Sequence, residues 1–284
     1  MKTVIFICTG NTCRSPMAKA LFEQKIEGKG QDFTAISRGL SVLENSPAAN
    51  NAIEALKEFK ADLTSHKAWL LSKDDVALAD LFVCMTEEHK RVLTSIGVSE
   101  SKIEVLGISD PYMCGLAVYK ECAKDIYNKL DNVLLKLNGI EISPMPLCDA
   151  QKASEIEKIS FDKEAWSEKS IVETINSGGC YFAAYKEGEM LGVVGVKQIL
   201  DEAYISNISV LPQYRRMGIA NALMNALTQH LKQQNAAFVT LEVRESNIGA
   251  IALYEKLGFQ LKGVRKNFYE SPKEDARIMT LDFR

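Results

Sequence analysis

Residues 4–16 have the sequence V-I-F-I-C-T-G-N-T-C-R-S-P, from Val4 to Pro16. The four apolar residues at its start are typical of a buried strand, and Pro16 is typical of the first turn of a helix. The polar segment between them therefore joins a strand end to a helix start. Such a loop turns successive backbone N–H groups towards one point and adds the positive end of the helix dipole, so it can bind a tetrahedral oxyanion.

The side chains of this loop suit the same chemistry. Gly10 and Asn11 tolerate the positive φ that an anion-binding loop requires. Arg14 offers a planar fork to two phosphate oxygens, and Ser15 can donate to a thiolate. Because cysteine pKa values fall at helix N-termini and beside cations, we expect Cys8 to have a lowered pKa. The sequence thus predicts a nucleophilic cysteine beneath a bound phosphate.

The rest of the first half alternates strands with amphipathic helices, which predicts a doubly wound parallel sheet of the α/β class. Strands are predicted at 3–8, 34–38, 81–85 and 103–106, and helices at 16–27, 47–59, 87–95 and 118–137. Ligands of such sheets bind at the carboxyl ends of the strands, where the cysteine loop lies.

The second half has a different pattern, which predicts a mixed α/β sheet. A polar helical stretch at 151–177 comes first, and further helices follow Met217 and Asn247. Strands are predicted at 180–185, 189–196, 203–210, 238–243, 259–264 and 278–283. Residues 139–147 contain two prolines after a long helix and are predicted to be a linker, with the domain boundary near residue 142.

Composition limits the function classes. A chain of 284 residues with 46% hydrophobic and 25% charged residues is expected to form two globular domains. The net charge of −3 is spread evenly, so no direct nucleic-acid partner is expected. No apolar run could span a bilayer and no signal peptide precedes the first strand, so we expect no membrane partner and a cytoplasmic protein. The seven cysteines lack paired CxxC motifs, so we expect neither a disulfide scaffold nor a metal, and Cys84 is predicted to be a core thiol.

The loop pattern CxGNxCRSP resembles that of the low-molecular-weight protein tyrosine phosphatase family. The resemblance implies Cys8 as nucleophile and Arg14 as phosphate clamp, with Asn11 and Ser15 supporting the loop. The implied phosphate site comprises Thr9, Gly10, Asn11, Thr12, Cys13, Arg14 and Ser15. The family's general acid lies in a downstream Asp-Pro motif, which corresponds here to Asp110. A carboxylic acid above the pocket can protonate the leaving group and later activate water.

The substrate is indicated by one loop position. Thr12 stands where many tyrosine-specific members have a bulky aliphatic residue, and the loop sequence CTGNTCRSP resembles that of the bacterial protein arginine phosphatases. A hydroxyl suits a polar phosphoguanidinium better than an aliphatic group does. Met113, Cys114 and Gly115 depart from the arginine phosphatases, which usually have small residues there. Phosphoarginine is therefore favoured, and phosphotyrosine is the alternative.

Other candidate side chains near this motif leave alternatives open. Cys13 could form a protective disulfide with an oxidised Cys8, or it could simply pack the loop. His66, His89 and His230 share no spacing and are predicted to be solvated helix or loop residues.

A second strand, loop and helix lie in the second half. After the strand ending at Val210, residues 213–220 lead into a long amphipathic helix, and Gly218 permits close approach of a diphosphate to the backbone. The segment resembles the signature R/Q-x-x-G-x-G/A of the GNAT family of N-acetyltransferases, through Arg215, Gly218 and Ala220.

A wider resemblance, to the RimI-type ribosomal-protein alanine N-acetyltransferases, covers nearly all of residues 143–284, through L-E-V-R at 241–244, S-N at 246–247, A-I-A-L-Y at 250–254, L-G-F at 257–259 and N-F-Y at 267–269. It implies acetyl-CoA as a substrate and the N-terminal segment of a ribosomal protein as a partner. Glu242 is implied as the base that deprotonates the amine, and Tyr254 as the acid that protonates the departing thiolate. The implied coenzyme contacts are Ile208, Ser209, Val210, Arg215, Arg216, Met217, Gly218, Ile219, Ala220, Asn221 and Asn247.

Taken together, the two halves suggest a bifunctional enzyme, with a phosphatase domain at 1–140 and an acetyltransferase domain at 143–284. Two alternatives differ in kind. One half could be a binding module without turnover, or the acetyltransferase could act on a small-molecule amine.

Overall fold

The computed structural model describes residues 1–28, 33–161 and 164–283. The chain forms two compact units, Met1–Leu137 and Asn138–Arg284. A sheet of four strands lies in the first unit and a sheet of seven strands in the second. The predicted α/β class, a doubly wound parallel sheet followed by a mixed sheet, is confirmed.

The first unit alternates strands and helices. Its strands are β1 (Lys2–Cys8), β2 (Phe33–Gly39), β3 (Leu81–Cys84) and β4 (Ile103–Val105). Its helices are α1 (Arg14–Ile26), α2 (Asn50–Leu56), α3 (Lys73–Leu78), α4 (Glu87–Ser95) and α5 (Leu116–Leu137).

All the pairs in this sheet are parallel, in the order β2-β1-β3-β4. Side chains of a strand alternate between the two faces, and here both faces are buried. Val4 and Phe6 pack in one cluster with residues of α1, α2 and α5, whereas Ile5 and Ile7 pack in another with Leu93 of α4. Helices therefore cover both faces, and the central strand β1 ends at the cysteine loop.

The second unit is a mixed sheet with helices on both faces. Its strands are β5 (Ile140–Pro144), β6 (Cys180–Lys186), β7 (Glu189–Ile199), β8 (Glu202–Val210), β9 (Phe238–Arg244), β10 (Gln260–Glu270) and β11 (Lys273–Asp282). Its helices are α6 (Ala150–Phe161), α7 (Glu168–Asn176), α8 (Ile219–Gln233) and α9 (Ile248–Lys256). Tyr181 packs with residues of α6 and α7, whereas its neighbour Phe182 faces His230 of α8.

The strand order is β10-β11-β9-β8-β7-β6-β5, and every neighbouring pair is antiparallel except β8 with β9. That parallel pair is short: its register runs only from Glu202 opposite Phe238 to Tyr204 opposite Thr240. Beyond it, β8 stays paired with β7 and β9 with β11, so the two strands separate towards their carboxyl ends.

The predicted linker at 139–147 is wrong, because Ile140–Pro144 forms the strand β5. β5 lies at the edge of its sheet, and Pro144 is its last residue, where a missing N–H costs no ladder hydrogen bond. The sequence pattern also misses the short helix α3. The second predicted helix starts at Asn50 rather than at 47, because Pro47 forms an isolated bridge with Lys67.

Candidate active sites

The cysteine loop connects β1 to α1 at the carboxyl edge of the first sheet, as predicted. Of the two loop residues that tolerate positive φ, Asn11 adopts it, with a φ of 54°, and Gly10 does not. The Asn11 side chain donates to Ser15 Oγ at 2.9 Å and accepts from the Trp69 backbone N–H at 2.9 Å. The loop therefore bends at Asn11, and the two hydrogen bonds of the Asn11 side-chain amide stabilise that bend.

Cys8 lies at the bottom of the loop and is almost fully buried. Its Sγ is 3.0 Å from Ser15 Oγ and accepts from the Asn11 backbone N–H at 3.3 Å. Burial raises the pKa of the Cys8 thiol above its ordinary value, although the hydrogen bonds from Ser15 and Asn11 and the charge of Arg14 lower it. The predicted lowering of this pKa is therefore wrong for the structure, because the loss of water outweighs the donors.

The Ser15 hydroxyl is expected to affect the pH dependence of phosphate release. We expect Ser15→Ala to move the acidic limb of the kcat/KM profile to higher pH, because the substitution removes a donor that lowers the Cys8 pKa. The measurement is the pH dependence of phosphate release. Ser95→Ala, which changes an exposed serine on α4 bonded to Val92, is the control. An unchanged profile in Ser15→Ala would show that Ser15 does not tune the nucleophile.

Arg14 and Asp110 lie together at the loop. Arg14 is buried, and its guanidinium donates to the Ile108 carbonyl at 3.2 Å and to Asp110 Oδ2 at 2.5 Å. The Asp110 side chain is 51% exposed, so a ligand can reach its carboxylate. The Tyr112 backbone N–H donates to the other oxygen of Asp110 at 3.2 Å. The structure thus brings the candidate acid next to the candidate phosphate clamp.

Two histidines belong to this region, and the prediction of a solvated position is wrong for one of them, His89. His89 is buried, and its Nε2 is 3.0 Å from Thr9 Oγ1. His66 is half-buried, and its Nε2 is 2.7 Å from the Asn11 carbonyl oxygen. Both positions depend on contacts far apart in the chain, so no local pattern could reveal them. His230, in the second unit, is also half-buried.

The remaining thiols differ in environment. Cys13 Sγ lies 3.1 Å from the Tyr119 hydroxyl and 3.7 Å from Thr12 Oγ1, and the thiol is free. Thr12 itself is half-buried at the loop. Cys84 is fully buried, and burial raises its pKa to about 12, so its prediction as a core thiol is confirmed.

In the second unit, the opening between β8 and β9 is the candidate coenzyme site. β8 has two residues, Ser206 and Asn207, opposite the single Gly195 of β7, which is a β-bulge. A bulge bends its strand, and this one lies where β8 leaves β9. Ile208, Ser209 and Val210 follow the bulge at the end of the strand. The Ser209 hydroxyl is buried and has no hydrogen-bond partner among the described residues.

The loop after β8 leads to the N-terminus of α8. Arg216 has a φ of 64° and Gly218 a φ of 86°, and Gly218 is the N-cap of the helix without a side-chain cap. The first-turn N–H groups of α8 are therefore not capped by the preceding residue, which suits a phosphate. Arg215 Nε donates to the Val210 carbonyl at 3.0 Å and ties the loop to the strand. Met217 precedes this N-cap, and Ile219, Ala220 and Asn221 form the first turn.

Glu242 and Tyr254 come from consecutive elements, β9 and the helix α9 that follows it in the chain. Glu242 is on β9, its side chain is 32% exposed, and its Oε1 is 3.2 Å from a guanidinium nitrogen of Arg265. Tyr254 on α9 is buried, and burial raises the pKa of its hydroxyl well above the ordinary value. The charge of Tyr269 raises the pKa of Tyr254 further. The pKa of Tyr269 is itself raised chiefly by burial, and the charge of Glu242 adds to that effect. Tyr269 therefore lies within electrostatic range of both candidates, a connection that the sequence does not show.

Two further polar residues have roles that the sequence did not predict. Asn247 caps α9, because its Oδ1 accepts from the Ala250 backbone N–H at 3.1 Å. Glu157 of α6 is fully buried, and its Oε2 accepts from the Trp166 backbone N–H and from the side chain of Asn207, each at 2.8 Å. Burial raises the Glu157 pKa. Helical spacing places Glu157 on the same face as the buried Ala153, which is a signal that could have found it.

Comparison with known proteins follows the division into two units. The family described as "Low molecular weight phosphotyrosine protein phosphatase" matches residues 3–140, and "Acetyltransferase (GNAT) family" matches residues 147–259. A ribosomal protein bS18-alanine N-acetyltransferase of Escherichia coli K12 is 40% identical over 118 residues, 41% of this chain and 80% of the relative. The protein-arginine-phosphatase of Bacillus subtilis 168 is 33% identical over 144 residues, 47% of this chain and 95% of the relative.

The chain belongs to both families. A third relative, from Ralstonia nicotianae, is named "Probable low molecular weight protein-tyrosine-phosphatase EpsP" and is 31% identical over 138 residues, 46% of this chain and 92% of the relative. The protein is thus a fusion of a low-molecular-weight phosphatase domain and a GNAT acetyltransferase domain.

The residues that the structure describes lack two other kinds of feature. No helix in those parts of the chain is both long and apolar enough to cross a bilayer. Nor do the same residues contain a group of three or more His, Cys, Asp or Glu side chains that could hold a metal ion.

Proposed function

We propose that the chain is a bifunctional enzyme that removes phosphate from phosphoarginine in proteins and acetylates the N-terminal alanine of a ribosomal protein. We assign the first activity to the first unit, Met1–Leu137, and the second activity to the second unit, Asn138–Arg284. The observation that carries the proposal for the first domain is the gathering of the Cys8 thiol, the Arg14 guanidinium and the Asp110 carboxylate at the end of β1.

The phosphatase reaction has two steps. Cys8 as thiolate attacks phosphorus, the bond from phosphorus to the leaving group breaks, and Asp110 gives its proton to the leaving nitrogen or oxygen. Arg14 and the loop N–H groups bind the phosphoryl oxygens throughout. Water then attacks the phosphocysteine, Asp110 takes a proton from that water, and Cys8 leaves as thiolate with release of inorganic phosphate. Asp110 is therefore a carboxylate after the first step and regains its proton from water in the second, so the cycle balances without a further proton source.

Phosphoarginine is favoured as substrate by Thr12 and by the Bacillus subtilis relative, which is named a protein-arginine-phosphatase. Asp110 could also accept a hydrogen bond from a guanidinium. The Ralstonia nicotianae relative carries the name of a tyrosine phosphatase and supports phosphotyrosine as the second candidate.

The proposed preference for phosphoarginine is tested by measuring kcat/KM for a phosphoarginine peptide and for a phosphotyrosine peptide. We expect kcat/KM for a phosphoarginine peptide to exceed that for a phosphotyrosine peptide by about a hundredfold, roughly 2.7 kcal/mol at the transition state. Thr12→Ile should narrow this ratio, and Thr94→Val, which changes an exposed threonine on α4, should not. Cys8→Ser is the blank. A preference for phosphotyrosine would show that Thr12 does not determine the choice of substrate.

The GNAT family implies acetyl-CoA as the substrate of the second domain, and the residues present fit it. Two features suit it: the N-terminus of α8, whose N-cap Gly218 is left-handed and offers free N–H groups to a phosphate, and the buried Ser209 hydroxyl, which has no partner among the described residues. When bound, acetyl-CoA supplies an activated acetyl thioester. The residues that would hold it are Ile208, Ser209, Val210, Arg215, Arg216, Met217, Gly218, Ile219, Ala220, Asn221 and Asn247.

In the acetyl transfer, Glu242 takes a proton from the acceptor amine directly or through a water molecule. An α-amine has a pKa of about 8, so a carboxylate can assist its deprotonation near neutral pH. Tyr254 is the candidate acid for the departing thiolate, because its buried hydroxyl is protonated at neutral pH and can donate that proton. The Escherichia coli relative, whose printed name specifies alanine of a ribosomal protein, supports that acceptor and, with it, a cytoplasmic site of action.

A further inference from the structure

His89 occupies an unusual position for a residue outside the phosphate loop. It lies in the first turn of α4, is buried, and has contacts at both ring nitrogens. Its Nδ1 accepts from the Thr86 backbone N–H at 3.2 Å, and the Thr86 hydroxyl lies 2.8 Å from the same nitrogen. Its Nε2 is 3.0 Å from Oγ1 of Thr9, the first loop residue after Cys8.

These contacts assign the tautomer of the ring. The Thr86 backbone N–H can only donate, so Nδ1 must be an acceptor without a proton. The neutral ring then carries its proton on Nε2, which donates to Thr9 Oγ1. Burial and the charge of Arg14 lower the pKa of His89, while Asp110 and Glu88 oppose them.

The hydrogen bond from His89 adds to other contacts that hold Thr9 in place. Its carbonyl oxygen accepts from the Ser41 backbone N–H at 2.9 Å, so its backbone is already tied to the segment after β2. The bond from His89 fixes the Thr9 side chain as well. Because Oγ1 accepts that bond, the Thr9 hydroxyl proton is left for a third group.

From this geometry we infer that His89 is a positioning residue of the phosphatase, acting through Thr9. It sets the first residue of the phosphate loop so that the Thr9 hydroxyl and backbone can face the bound phosphoryl group. The inference rests on the proposed phosphatase function, because it assigns His89 to that same loop. It differs from a structural role in α4, because capping of the helix uses only Nδ1.

Two substitutions separate these roles. His89→Asn keeps an acceptor for the Thr86 N–H near the position of Nδ1 but does not reach Thr9. His89→Gln places an amide N–H near the position of Nε2. We expect His89→Asn to weaken the binding of inorganic phosphate and to lower kcat/KM, each by about tenfold, as for loss of one hydrogen bond. His89→Gln should keep both quantities within about threefold of the wild type.

The full chain is used, with thermal unfolding to verify that each variant folds. In a Thr9→Val background, which lacks the acceptor, His89→Asn should weaken phosphate binding no further, because the two changes remove the same bond. Equal losses in His89→Asn and His89→Gln, or losses that multiply in the double variant, would overturn the inference.

Phosphate binding also distinguishes failure of the proposed phosphatase activity from failure of the positioning role of His89. If the wild type releases no phosphate above the Cys8→Ser blank, the proposed activity fails, but the affinity of the loop for inorganic phosphate remains measurable. Weaker binding in His89→Asn than in His89→Gln would then still support the positioning role, and equal binding would refute it.

Discussion

We expect Cys8→Ser to lower phosphate release by at least about four orders of magnitude, because the substitution removes the nucleophile. A serine hydroxyl has a far higher pKa than a thiol, and burial at this position opposes any anion further. The measurement is single-turnover release of phosphate from a phosphopeptide by the full chain.

Cys148→Ser is the matched control, because it makes the same change at an exposed free thiol of the second unit. It should retain most of the activity. Acetyl transfer by the Cys8→Ser variant should equal that of the wild type. Phosphate release by Cys8→Ser within tenfold of the wild type would show that the nucleophile is elsewhere.

The second large effect concerns acetyl transfer. We expect Glu242→Gln to lower kcat for acetylation of an N-terminal alanine peptide by about a hundredfold to ten-thousandfold, the usual contribution of a general base. Tyr254→Phe should lower kcat by a similar factor, because the buried hydroxyl keeps its proton and is the candidate acid. Both kcat values are measured from the rate at which the coenzyme thiol is released from acetyl-CoA.

Glu245→Gln is the control for loss of charge, since Glu245 directly follows β9 and pairs with Arg277 on the surface. It should change kcat by less than about threefold. If Glu242→Gln behaves like Glu245→Gln, then Glu242 is not the base, and its pairing with Arg265 is only a surface contact.

The sequence predicted the elements around both motifs well, because local patterns determine them. The apolar run of β1 leads into the phosphate loop, and Gly218 marks the start of α8. By contrast, the sequence predicts a linker where the structure has β5, because prolines at a sheet edge give the same local signal as prolines in a linker.

Long-range contacts explain the other differences between sequence and structure. His89 reaches Thr9 from 80 residues away, and His66 reaches Asn11 from 55 residues away. The pKa of Cys8 is raised by burial, which depends on how tightly the whole loop closes over the sulfur. The sequence shows which donors are near the thiol but not whether they outweigh the loss of water.

The central claim is that one chain carries two enzymes with separate catalytic groups. Phosphate release and acetyl transfer, measured side by side on the wild type, Cys8→Ser and Glu242→Gln, test it most directly. We predict that the wild type has both activities, that Cys8→Ser loses only phosphate release, and that Glu242→Gln loses only acetyl transfer. A wild type lacking either activity on these peptides, or a single substitution that removes both from a folded protein, would contradict the account.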